Sequence, residues 1–335
     1  MKLGEIIRDG MVLQKGKAIR FFGESEGAVK LNFDGCEKVV EGGSWVAEFP
    51  KRDEYCSGLS LVVEGDGEKL TISDICVGEV ILFSGQSNIQ FKMVEEITPS
   101  SEYYDDDMLR IFVSERIEKG EPLCPSDGWV KAKRENIDKW SAVAYLVGRD
   151  LRKKGVPAVG VVACSQGASI IQAWIDEKVL CGSELDLPEE KCLFNKNHGC
   201  YDLYIQWNVI GRLYHFMLER LMPYSFGRVV WYQGESNASD AEGEIYDKLF
   251  EMMIDCWRKG FRDPSLEFVV VQIANYIHAG NQPGWKALQA AQLRTGAFDG
   301  VDTVICADVC EDDNIHPATK WKLAERITDI IERKL

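Results

Sequence analysis

Residues 79–88 read EVILFSGQSN, and the way this stretch ends decides the fold. Val80, Ile81, Leu82 and Phe83 form an apolar run without polar alternation, the pattern of a strand buried on both faces. The run breaks into small and polar residues around Gly85 and presents Ser87. A near-echo follows at 229–237, VVWYQGESN, where another apolar run ends in Gln233, Gly234, Glu235, Ser236 and Asn237. One such corner is a turn. Two suggest loops gathered at one edge of one sheet, with glycine letting the backbone turn sharply and come close to a ligand.

Working outward, the same texture recurs from about residue 76. Short apolar strands are expected at 79–83, 109–113, 158–164, 228–232, 267–273 and 301–308. Amphipathic helices are expected between and after them at 140–155, 201–223, 241–260, 284–298 and 317–335. Apolar strands alternating with amphipathic helices imply an α/β fold with a parallel sheet covered on both faces. In such sheets the ligand site lies beyond the carboxyl ends of the strands. Residues 1–75 have no helical period. AVKLNF (28–33) places Val29, Leu31 and Phe33 on one face, and LSLVVEGDGEKLTI (59–72) reads as a hairpin turning at GDG (65–67). Two domains are expected: a small β-sandwich-like domain over 1–75 and a catalytic domain over 76–335.

The 335 residues are 45% hydrophobic and 28% charged, with a formal net charge of −15. That charge argues against nucleic acid and anionic membranes as partners, since phosphate binding needs concentrated Lys and Arg. No apolar run approaches the roughly 20 residues of a membrane span. The opening MKLGEIIRDG lacks a cationic stretch followed by an apolar one, so no signal peptide is read. Eleven scattered cysteines, several inside apolar runs, fit a reduced, cytoplasmic protein, or a secreted one had a leader been removed. Cys306, Cys310 and His316 lack the paired spacing of zinc sites, so neither metal nor cofactor is assigned. No oligomeric state is read.

The strand ends carry the chemistry. After the first run come Gln86, Ser87 and Asn88; after VVAC come Ser165, Gln166, Gly167, Ala168 and Ser169; after VVWY come Gln233 to Asn237; the last strand leads to Asp313, Asn314 and His316. A serine, a histidine, acids and amides converging on one edge are the inventory of nucleophilic acyl transfer. Ser165 is a rival nucleophile, because ACSQG nearly matches the G-x-S-x-G elbow but has Ala163 in place of its first glycine. His198, His215 and His278 are less well placed than His316: His215 sits mid-helix, and the other two fall in loops.

These blocks resemble the SGNH-type carbohydrate esterases, specifically the sialate O-acetylesterase family and its acetylxylan-esterase relatives. GQSN (85–88) is similar to the nucleophile block, GASIIQAW (167–174) to the G-G-T-x-I-E/Q-A-W block, WYQGESNA (231–238) to the Q-G-E-S/A block, and DDNIHP (312–317) to the terminal histidine block. DGMVLQKG (9–16) fits upstream. The resemblance implies a three-layer α/β/α, flavodoxin-like sheet. It departs at Ala168, which replaces the second glycine of G-G-T; at Ile89, where methionine is common; and at Asn314, where aspartate is common.

The resemblance and the inventory together give an expected mechanism. Ser87 attacks an acetyl ester, and His316 takes the proton and returns it to the departing sugar hydroxyl. Asp313 in D-x-x-H orients the imidazole, with Glu235 as the alternative. The Ser87 and Gly167 amides form the oxyanion hole with an amide side chain, Gln233 ahead of Asn237. Gln86, Asn88, Trp174 and Tyr232 are expected at the substrate, with Trp231 as a further aromatic candidate. The expected partner is a small-molecule or oligosaccharide acetyl ester, O-acetylated sialic acid first and acetylated xylan or another acetyl sugar second. An inert carbohydrate-binding protein is disfavoured, because binding needs no base. A lipase or thioesterase is disfavoured by the acidic, polar loops at 92–107 and 180–200. A phosphate hydrolase is disfavoured because the sequence carries no P-loop or metal-ligand motif.

Overall fold

The computed structural model describes residues 1–114, 116–118, 121–123, 128–183, 185, 207–279 and 283–335. Its centre is a seven-strand sheet in the order Trp129–Ala132, Asp106–Val113, Val159–Ser165, Glu68–Gly85, Arg228–Tyr232, Glu267–Val271 and Val301–Val304. The first pair is antiparallel and every later neighbour is parallel. The expected apolar runs are these strands. Val159–Ser165 and Arg228–Tyr232 are buried at every residue, which is why neither shows a polar alternation.

The strand Glu68–Gly85 is 18 residues long and serves two layers. Its first part pairs antiparallel with Cys56–Gly65 across the turn at Asp66 and Gly67. Both turn residues have positive φ (50° and 74°), as a two-residue hairpin turn of matching twist requires. Its last part pairs in parallel with Val159–Ser165 and Arg228–Tyr232. The step from residue 75 to 76 therefore falls inside one unbroken strand. Before it, Lys2–Leu3, Ile19–Ser25 and Gly43–Phe49 make a separate three-stranded sheet. Phe21, Phe33 and Phe49 pack edge-to-face between these N-terminal strands, with centroids 5.1–5.7 Å apart.

Helix Ala142–Lys153 packs against the last helix, Trp321–Glu332, and Asp240–Gly260 packs against Pro283–Arg294. The last helix buries Leu323, Ala324, Ile327, Thr328 and Ile331 at helical spacing. The backbone N–H groups that open it, of Lys320 and Trp321, donate to Glu96 Oε1 at 3.0 and 3.2 Å, so its cap comes from a distant loop. No helix among the described residues is long and apolar enough to cross a membrane.

Two expected elements differ. Of the helix expected over 201–223, residues 201–206 lie outside the described residues. The rest is a turn through Gly211 (φ 75°), a π-helical stretch at Tyr214–Leu218 and a 3-10 turn at Glu219–Leu221. The strand expected over 301–308 stops at Val304, because Val309 and Cys310 N–H both turn back to the Cys306 carbonyl. The antiparallel edge strand Trp129–Ala132 was not expected; it is only four residues long and includes Lys131.

Candidate active site

The register of the sheet brings the polar corners together. Ser165 and Tyr232 both stand opposite Gly85, on either side of it. Gly85 is the only residue type that fits there: its φ is 135°, and an added Cβ would lie 2.1 Å from the Tyr232 carbonyl oxygen. The chain then turns into the short helix Ser87–Gln90, which leaves Ser87 half-buried at its first position.

His316 meets that serine. Its Nε2 lies 2.7 Å from Ser87 Oγ. The histidine loop is built locally by the His316 N–H donating to Asn314 Oδ1 at 2.9 Å, an Asx-type turn. It is tied down by the Asn88 side chain, which donates to the Ile315 carbonyl at 3.0 Å, and by the Ile277 N–H, which donates to the Asp312 carbonyl at 2.8 Å. Burial pushes the His316 pKa below its ordinary value; the Lys320 ammonium acts in the same direction and Glu95 opposes it. The imidazole is therefore held neutral, so Nε2 can accept the hydroxyl proton of Ser87.

Gly167 flanks the pair. An added Cβ there would stand 3.8 Å from Ser87 Cβ and 2.9 Å from Gln90 Oε1. Neither the Ser87 nor the Gly167 N–H donates to an acceptor among the described residues. Ala168 has φ 53°, the left-handed region that favours the glycine it replaces. Asn208 holds this strained turn, accepting from the Ile170 N–H at 3.0 Å and donating to the Ala168 carbonyl at 2.8 Å.

Several expected roles change with the packing. Gln233 is fully buried, and its Nε2 donates to Gln86 Oε1, the Ser169 carbonyl and Asn237 Oδ1. Asn237 donates to Gln172 and Glu242. Both amides are already committed, so neither is available to an oxyanion. Gln86 and Asn88 are buried in the same way: Gln86 Oε1 accepts from Gln233, Gly234 and Ser236, and Asn88 uses both ends of its carboxamide on protein partners. Trp174, Trp231 and Tyr232 are core residues at 0% exposure. Trp174 packs edge-to-face on Trp231 at 5.9 Å and bonds Ser169 Oγ, which leaves no sugar platform there.

Of the two candidate acids, Asp313 is exposed on the histidine loop. Glu235 is buried and accepts from Asn88 Nδ2 at 2.5 Å. Neither hydrogen-bonds His316 among the described residues. Ser165 closes its strand without a histidine partner, and among the described histidines only His316 faces a serine. His215 is taken up by Glu177 and Glu219, His278 is exposed, and His198 lies outside the described residues. Two residues at the site were not expected. Gln90 is three after Ser87, and that spacing, one helical turn, was the available signal. Lys320 is four after His316 and fully buried, its Nζ donating to Asn88 Oδ1 at 2.6 Å.

The serine, the histidine and Gly167 stand together at the carboxyl edge of the sheet, in a chain that is similar to known proteins. The sequence is 27% identical to the sialate O-acetylesterase of Mus musculus over 307 residues, 77% of this chain and 56% of that protein. It is 26% identical to that of Homo sapiens over 294 residues, 77% of this chain and 53% of that protein. The chain thus spans about half the length of these relatives. A crystal structure of a carbohydrate acetylesterase from Xanthomonas citri superposes with a TM-score of 0.81 at 28% identity, covering 97% of this chain and 73% of that one. Residues 77–329 match the family model described as carbohydrate esterase, sialic acid-specific acetylesterase, and this chain therefore belongs to that family of carboxylic ester hydrolases.

Proposed function

We propose that this chain is a serine esterase that removes O-acetyl groups from a carbohydrate, with O-acetylated sialic acid as the substrate. The observation that carries the reading is the 2.7 Å contact between Ser87 Oγ and a half-buried His316 whose imidazole is held neutral. Ser87 attacks the acetyl carbonyl while His316 Nε2 takes its proton, and the tetrahedral oxyanion is met by the Ser87 and Gly167 N–H groups. His316 then gives the proton to the sugar oxygen as it leaves. Water, activated by the same imidazole, hydrolyses the acetyl-serine. The side-chain donor of the oxyanion hole is Gln90 in place of Gln233 or Asn237. Its place beside Gly167 and Ser87 supports this, with the carboxamide turned so that Nε2 rather than Oε1 faces the oxyanion. Asp313, three residues before His316 on the same loop, is the acid that orients the imidazole in the working enzyme, where catalytic hydrogen bonds tighten. No cofactor enters this chemistry.

The same reading gives residues 76–335 a three-layer SGNH architecture and residues 1–75 the role of a small β domain. Eight free cysteines among the described residues support a reducing, cytoplasmic setting.

The test is acetate release from 9-O-acetyl-N-acetylneuraminic acid, acetylated xylo-oligosaccharides and 4-nitrophenyl acetate, each with wild type and Ser87→Ala. Ser87-dependent release from the sialic acid and from 4-nitrophenyl acetate, and none from the xylo-oligosaccharides, is expected. Ser87-dependent release from the xylo-oligosaccharides in place of the sialic acid would move the substrate to plant glycan, and release that does not depend on Ser87 would overturn the mechanism.

A further inference from the structure

Asn88 directly follows the nucleophile and is fully buried. Its Oδ1 accepts from Lys320 Nζ at 2.6 Å. Its Nδ2 donates to Glu235 Oε1 at 2.5 Å and to the Ile315 carbonyl at 3.0 Å. The last bond joins the nucleophile corner to the residue before His316. Its direction is fixed by the two charges. An ammonium only donates and a carboxylate only accepts, so the carboxamide can present its oxygen to Lys320 and its N–H groups to Glu235 and Ile315, and not the reverse.

A lysine at 0% exposure and a buried glutamate are both costly unless compensated. Here they compensate one another across one carboxamide. The ammonium also lies over the rings of Phe91 (4.9 Å) and Tyr232 (5.5 Å). Glu235 Oε2 has no hydrogen-bond partner among the described residues. Burial raises the Glu235 pKa, and its own backbone N–H, the Asn88 bond, the Lys320 ammonium and the Gly234 N–H oppose that rise. Burial pushes Lys320 below its ordinary value, against Cys310, Cys306, Glu235 and Glu311 around it. The charged groups acting on His316 are Lys320 and Glu95.

We propose that Lys320 is a positioning residue of the active site: with Glu235 it locks the Asn88 carboxamide that ties the His316 loop to Ser87. This rests on the Ser87–His316 reading above. Loss of the ammonium frees Asn88 to rotate and removes the charge that disfavours imidazolium.

The test compares pH profiles of kcat/KM on 4-nitrophenyl acetate for wild type, Lys320→Met and the double variant Lys320→Met with Glu235→Gln. Folding is followed by circular dichroism, and Ser87→Ala serves as the control. The single variant leaves a buried carboxylate uncompensated and is expected to be less stable. The double variant is neutral and similar in volume, so it is expected to fold. In every variant that folds, kcat falls, approaching about 10²-fold for a misplaced base, KM stays within about twofold, and the acid limb moves to higher pH. A merely structural lysine would lower the folded fraction and leave the limb in place. A folded double variant with an unmoved limb overturns the proposal, and so does failure of the double variant to fold. If Ser87→Ala itself turns over normally, the function reading falls instead, whatever the lysine variants do.

Discussion

In the proposed mechanism His316 acts as a base only while its imidazole is neutral. Burial and Lys320 hold its pKa below the ordinary histidine value, which is about 6.5. The acid limb of kcat/KM is therefore expected below about pH 6.5, with full activity at neutral pH; a limb above that value contradicts the assignment. The two acids separate by burial. Asp313→Asn, at an exposed position, is expected to leave the melting temperature unchanged and to lower kcat by at least about 10²-fold. Glu235→Gln is expected to lower stability as well, because Glu235 is buried against Asn88. A fully active Asp313→Asn enzyme would remove Asp313 from the mechanism. The meeting of Ser87, Gly167 and His316 was legible in the sequence because a parallel sheet delivers its strand-end residues to one edge. Gln233, Trp174 and Tyr232 were misjudged for one reason: polar or aromatic character at a strand end does not say whether a side chain faces solvent or closes the core. Lys320 was missed because its role exists only once the last helix closes over the nucleophile corner.

Among the elements, the Gly167–Ala168 turn stores strain. At φ 53° an alanine pays a penalty that glycine does not. Ala168→Gly is expected to raise the unfolding free energy by about 0.5–1 kcal/mol, read from the urea midpoint; a lower midpoint would mean that Asn208 already relieves the turn. Trp174→Ala, in the Trp174–Trp231–Trp257 cluster, is expected to cost about 3–5 kcal/mol, as a core truncation does. A loss well below that range would return Trp174 to the solvent side. The parallel strands were legible because burial on both faces leaves an unbroken apolar run. The stretch at 207–221 was not, since its apolar residues follow a helical pattern that Gly211 and the π-helical stretch interrupt.

Across the whole molecule, the strand Glu68–Gly85 couples the N-terminal β layer to the nucleophile. It pairs with Cys56–Gly65 at one end and ends at Gly85 beside Ser87. One cooperative unfolding transition is expected, reported alike by heat capacity and by activity; two separated transitions would show that the layers are independent. Composition made the change of texture near residue 75 visible but hid the continuity of the strand, because a strand shared by two layers alternates in one half and runs apolar in the other. The central claim is that Ser87, drawn to His316 at the carboxyl edge of this sheet, is the acyl-accepting nucleophile. The most direct measurement is the site of modification by a serine-reactive phosphonate, mapped by peptide mass spectrometry on the active protein. A single adduct on Ser87, formed in step with loss of esterase activity, is predicted. An adduct on Ser165, or full inactivation with Ser87 unmodified, would contradict it.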